Sequence, residues 1–355
     1  MKRLPNITVL RFVLASLVVI YHIPQFCQNR GLPFFNNSSI FNKGEEAVYM
    51  FFSLSGFLII RQLYIEKLVT DTIHLKQFFL RRILRIFPLY YLVLSFGFLY
   101  YRFLLPYFGF SYQNNYDVIQ GVFLSYTFFP NIFAACKPGG IIEALWSIGI
   151  EEQFYLLIAP LIFILPFKYI VRFLLIFTSV YFILFFSEWM NFLKNYQMLF
   201  FYFSFSGVCS ILLLNNKIKF QKFRLFFIVI FVIYLTTSIF KNNLSNVFYH
   251  LFSMFLFGFL ICVLVEKPIK VLENRMLKYL GKISYGVYMF HAIMMQVVGF
   301  IFLKFSIQLK ISNLSSIIIF NLLVFVFTII IAHLSYKYFE QYFLNLKTKV
   351  KFKKT

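Results

Sequence analysis

An arginine and a histidine, Arg11 and His22, stand in the first apolar run of the chain with ten residues between them. At about 100° per residue their separation comes to about 20° beyond three turns, so on a helix both leave nearly the same face, about 16 Å apart along the axis. An ionised side chain within a membrane span costs about 2.5–3.5 kcal/mol and normally faces protein or water, where it is kept for a use. A buried imidazole with an orienting partner is the usual general base for a hydroxyl. The plainer readings are that Arg11 snorkels to the headgroups and that His22 is an interfacial cap.

A second group of residues lies in Leu145-Trp146-Ser147-Ile148-Gly149-Ile150-Glu151-Glu152-Gln153-Phe154-Tyr155. Adjacent carboxylates at the head of an apolar run need partners, because a buried ionised carboxylate without one neutralises. This span enters from the side where the first span exits, which puts Glu151 at the depth of His22. Glu151 is therefore expected to orient the imidazole, with Glu152 as the second candidate; the alternative is that both acids only fix helix packing. Arg82 and Arg85, three residues apart and on one helix face, form a third group. They suit a phosphate held by forked charge-assisted bonds, or equally an ordinary cytoplasmic anchor.

The elements that carry these residues must cross a bilayer. Of 355 residues, 61% are hydrophobic and 13% charged, against about 45–50% and 25% in soluble domains. Apolar runs near the ~20 residues of a crossing recur along the chain, and in lipid only helices satisfy their own backbones over such lengths. The expected fold is an all-α bundle of about ten transmembrane helices. Spans are predicted near 7–25, 46–62, 87–105, 143–165, 169–187, 197–214, 224–240, 246–265, 283–303 and 315–336. A further apolar segment, 118–135, is either an eleventh span or a re-entrant element.

Charge decides between these counts. With ten spans and a cytoplasmic N-terminus, 25 of the 34 Lys and Arg lie inside and 8 outside, Arg11 being intramembrane. An eleventh span would leave 13 inside and 20 outside, against the positive-inside rule. Both termini are then cytoplasmic, and the formal net charge of +22 faces anionic headgroups rather than nucleic acid. Residues 1–345 form the membrane domain and 346–355 a basic tail; no cleavable signal peptide is expected. Cys27, Cys136, Cys209 and Cys262 lack metal-ligand spacing, and no metal is expected. Cys27 and Cys136 share the outer side, either as two thiols or as a disulfide.

Five segments together resemble the membrane-bound acyltransferase 3 family, whose members O-acylate sugars of surface polysaccharides. They are Arg11 to His22, Phe51-Phe52-Ser53-Leu54-Ser55-Gly56-Phe57-Leu58-Ile59, Arg81-Arg82-Ile83-Leu84-Arg85-Ile86-Phe87-Pro88, the Trp146 to Tyr155 run, and Ile283-Ser284-Tyr285-Gly286-Val287-Tyr288-Met289-Phe290-His291. The resemblance runs from end to end. It implies a multi-pass protein of a bacterial inner membrane, with acyl-coenzyme A, usually acetyl, as donor substrate and no permanently bound cofactor. The implied acceptor is a hydroxyl of a cell-envelope glycan. His22 would be the catalytic histidine, Arg11 its partner, and Arg82 with Arg85 the coenzyme contacts; Ser55 and His291 are further candidates. The chain departs from the family's pattern before Phe51, where Gly44-Glu45-Glu46-Ala47-Val48-Tyr49-Met50 replaces a commoner Gly-Val-Asp or Gly-Val-His, leaving Glu45 or Glu46 as substitute acid. Without the esterase-like domain of some relatives, a stand-alone enzyme is expected. The rival expectation is a transporter or flippase of lipid-linked or acylated saccharides, which equally needs intramembrane ionisable residues.

Overall fold

The computed structural model describes residues 4–110, 116–217, 220–309 and 312–349. Every regular element among them is helical. Eight helices have the length and apolarity to cross a membrane: α1 (Ile7–Gln28), α2 (Gly44–Thr70), α3 (Leu75–Tyr107), α4 (Gly140–Ile164), α5 (Phe167–Phe186), α8 (Asn246–Glu266), α9 (Ser284–Lys304) and α10 (Asn313–Leu346). Each covers a span predicted from hydropathy. The protein is a multi-pass membrane protein.

The other two predicted spans differ from simple crossings. Helix α6 (Phe200–Leu214) follows Glu188–Asn195 across a bend of 83°, so the two pass the test for a span only as a bent pair. Helix α7 (Arg224–Thr236) has 13 residues, about 20 Å of rise against a hydrocarbon core of about 30 Å. It stops where Thr237 turns extended, and a short helix, Ile239–Asn243, follows. Segment 118–135 folds as Val118–Tyr126 and Pro130–Ala134. Phe128 breaks it with φ 66°, and neither half is long enough to cross.

Small residues let the central helices meet at backbone distance. A Cβ on Gly56 of α2 would lie 2.1 Å from the Phe203 carbonyl oxygen of α6, and one on Gly207 would lie 2.1 Å from Ile60. Between them the Ser206 hydroxyl donates to the Ser53 carbonyl at 2.6 Å. Such close small-residue contacts, with hydrogen bonds across them, bind helices where lipid removes the hydrophobic drive. The apolar windows of α2, α8 and α9 are largely buried, whereas α5 and α10 leave most of theirs uncovered. Those outer helices present the lipid-facing surface.

Two polar devices fix the elements around the site. The Lys67 ammonium of α2 is buried and donates to the carbonyls of Ile162 and Phe163 at 2.8 Å each, and also to that of Leu165. It thereby satisfies carbonyls that the end of α4 leaves without helical partners. At the start of α1, the Asn6 backbone N–H donates to Glu273 at 2.6 Å, and Glu273 pairs with Lys278 at 2.7 Å. Gly281 then lies against the Thr8 carbonyl, where a Cβ would approach to 2.1 Å. This contact carries Lys282 to the foot of α1. The Lys278 bond, helped by the Asn6 N–H, holds the Glu273 carboxyl below the ordinary carboxylate range.

Candidate active site

The ionisable residues singled out in the sequence line neighbouring cavities, one basic and the others about His22. Arg11, Arg82, Arg85, Lys282, Glu151 and Tyr155 line a cavity of about 100 Å³. Four cations face a single carboxylate there, so the lining favours an anion. The Arg82 guanidinium donates to Gln62 at 3.1 Å and lies 5.7 Å from the ring centroids of both Phe78 and Tyr155. The Glu151 carboxylate accepts from the Ser55 hydroxyl at 3.0 Å and from the Tyr155 hydroxyl at 2.9 Å. Arg82 and Arg85, expected to act together, do share this space, and Ser55 enters it as a support for Glu151.

His22 lies near the other end of α1. Its ring stacks on that of His291, with centroids 5.3 Å apart and planes at 27°, and Gln25, one turn on, lines the same cavities. His291 is fully buried, and its Nδ1 donates to the Tyr288 carbonyl. With the proton on Nδ1, Nε2 is left as a bare acceptor, and it has no partner among the described residues. Two cavities meet at His22. One, of about 620 Å³, is also lined by Arg30, Tyr101, Glu143, Trp146 and Gln296. The other, of about 310 Å³, is also lined by Gln25, Glu45, Asn131, Trp146 and Gln197. Val48 and Tyr288 line both this second cavity and the basic one, so the two groups are neighbours separated by two side chains.

The expected pairing of His22 with Glu151 is not formed. Glu151 faces Arg11 and Arg85 and takes two hydroxyl donors, because a carboxylate in a low-dielectric interior gains more from guanidinium groups than from a neutral imidazole. Arg11 likewise opens into the basic cavity and not beside the imidazole. Glu46, the substitute acid, lies outside both cavities of His22; Glu45 lines one of them. Glu152 is buried outside the three cavities, with one carboxylate oxygen unpartnered among the described residues. Sequence reasoning missed Gln25, Glu143 and Lys282. Gln25 was within reach of it, since it follows His22 by three residues and shares its helix face. Cys27 is buried, Cys136 exposed, and both are free thiols.

Residues 4–336 match the sequence pattern of a family described as an acyltransferase domain. The chain is 30% identical over 307 residues to ORF330 of Acidianus two-tailed virus, a protein named as an acetyltransferase, covering 83% of this chain and 84% of that protein. It is also 30% identical over 166 residues to the peptidoglycan O-acetyltransferase OatA of Listeria monocytogenes, covering 44% of this chain and 24% of the relative. No solved structure matches the chain significantly.

Proposed function

Because the chain belongs to this acyltransferase domain family, we propose that it carries an acetyl group from acetyl-coenzyme A, bound on the cytoplasmic side, to a hydroxyl of a cell-envelope glycan. The family assignment selects acyl transfer over the transporter alternative. The observation that supports this donor and acceptor most is the paired arrangement itself. A cavity with four cationic side chains and one carboxylate adjoins, across Val48 and Tyr288, a cavity with a half-buried histidine.

In this reading Arg82, Arg85 and Lys282 hold the phosphates at the mouth of the basic cavity, as forked and point-charge donors. Glu151, held by Ser55 and Tyr155, balances Arg11 and keeps the guanidinium groups in place. At the far end His22 takes the proton of the acceptor hydroxyl as its oxygen attacks the thioester carbonyl. A carbon–oxygen bond forms, the carbon–sulfur bond breaks, and the thiolate leaves with the proton returned by His22. Gln25 and His291 orient the imidazole, roles first assigned to a carboxylate.

The test is purified protein in liposomes with radiolabelled acetyl-coenzyme A and envelope glycan. Label in the glycan supports the reading. Donor binding without transfer to any glycan would remove the acceptor assignment, and transfer from a lipid donor alone would remove the coenzyme.

A further inference from the structure

A fourth cavity, polar and of about 360 Å³, adjoins the smaller cavity of His22 and is lined among others by Glu46, Lys194, Gln197, Lys241, Tyr249 and His250. Its volume is at the lower end of ligand pockets, about 300–1,000 Å³. Glu45 and Gln197 line both it and the 310 Å³ cavity of His22, so the two lie side by side. Glu46 is 2% exposed, and its neighbours converge on one oxygen. The Tyr249 hydroxyl donates to Oε1 at 2.7 Å, with the ammonium of Lys43 at 3.6 Å and that of Lys241 at 4.0 Å from the same atom. Oε2 is buried and has no partner among the described residues. A carboxylate oxygen left bare when buried costs about as much as a lost hydrogen bond, or more. The Tyr249 hydroxyl and the two ammonium groups gathered on its twin therefore fix the Glu46 carboxylate in the wall of the cavity.

The rest of the lining narrows the ligand's chemistry. Two carboxylates oppose two lysines, which disfavours a polyanion, and the polar lining disfavours an acyl chain. Carboxylates, amide and ammonium donors together match a molecule that both donates and accepts along its whole edge, as a saccharide does. We propose that this cavity is a second saccharide subsite. It holds the sugar adjoining the one whose hydroxyl reaches His22, so the acceptor is an oligomeric glycan rather than a single sugar. The inference rests on the acyl-transfer reading above.

The experiment measures kcat/KM for labelled acetyl transfer to peptidoglycan glycan fragments of one, two and four sugars. It compares the native protein with Glu46→Gln and Lys241→Ala; the Lys241 side chain is 57% exposed, so its removal opens no buried space. The native protein should prefer four sugars to one by at least tenfold, and both variants should bring that ratio near one. A native ratio near one, or variants that lower transfer to every length equally and keep the ratio, would overturn the subsite. If no fragment is acetylated although acetyl-coenzyme A is bound, the glycan-acceptor reading fails first and the subsite falls with it.

Discussion

The proposed function gives His22 and Arg82 separable jobs, and single substitutions should separate them. A positioned general base contributes about 10²–10⁴-fold to rate, so His22→Ala should lower kcat by that factor and leave the donor KM near its native value. Turnover kept at the native level in liposomes would remove His22 from the chemistry. Arg82 holds Gln62 and stacks near Tyr155, and a charge-assisted hydrogen bond is worth about 1.5–3 kcal/mol. Arg82→Ala should therefore raise the donor KM by roughly 10–100-fold, and an equal rise in acceptor KM would contradict the phosphate role. Much of this site was legible beforehand, since Arg11, His22, Glu151 and the Arg82–Arg85 pair carry charges that a span must bury against protein. Their partners were less so. Glu151 was matched to His22 by depth alone, but depth says nothing about which way an acid turns once helices pack, and guanidinium groups drew it the other way.

Helix ends and helix contacts make their own predictions. Lys67 gathers the carbonyls of Ile162, Phe163 and Leu165 at the end of α4. Lys67→Met keeps the stem and removes the donors, so it should cost about 1–3 kcal/mol for each carbonyl left dry and lower the thermal midpoint in detergent. An unchanged midpoint would mean that those carbonyls find other donors. At the foot of α1, Glu273 is held below the ordinary carboxylate range by Lys278 and the Asn6 N–H. Its contribution is complete above the pKa of an unfolded carboxylate and is lost as pH falls through the lower folded value. Glu273→Gln should therefore flatten the loss of thermal stability below about pH 4.5, a difference read from melting curves across that range. Hydropathy located eight of the helices well, because apolar length is local to the sequence. It misjudged 224–240, where the apolar run continues to Phe240 while the backbone leaves the helix at Thr237. An average over residues does not see one extended torsion.

The bundle in its bilayer is a charge-sorted object, and its orientation is open to a thiol test. Cys136 is exposed and Cys27 is buried; the excess of basic residues on the opposite loops predicts that Cys136 lies outside. A membrane-impermeant maleimide added to intact cells should label Cys136, and Cys136→Ser should abolish that label. Labelling only after the cells are opened would invert the topology and with it the sides assigned to donor and acceptor. Overall architecture was the most readable property, since composition alone demands helices in lipid. The separation into adjoining chambers was not readable, because it arises from side chains of α2 and α9 that are distant in sequence.

Val48 and Tyr288 stand between the basic chamber and that of His22, and a bioenergetic consequence follows from that partition. Under the proposed function only a two-carbon fragment has to pass it, with the coenzyme kept on one side and the sugar on the other. An ungated aqueous bore at the same place would let protons leak through the bundle. Trimming Val48 to glycine should show up first as a leak of protons or dye from sealed vesicles, before any change in product.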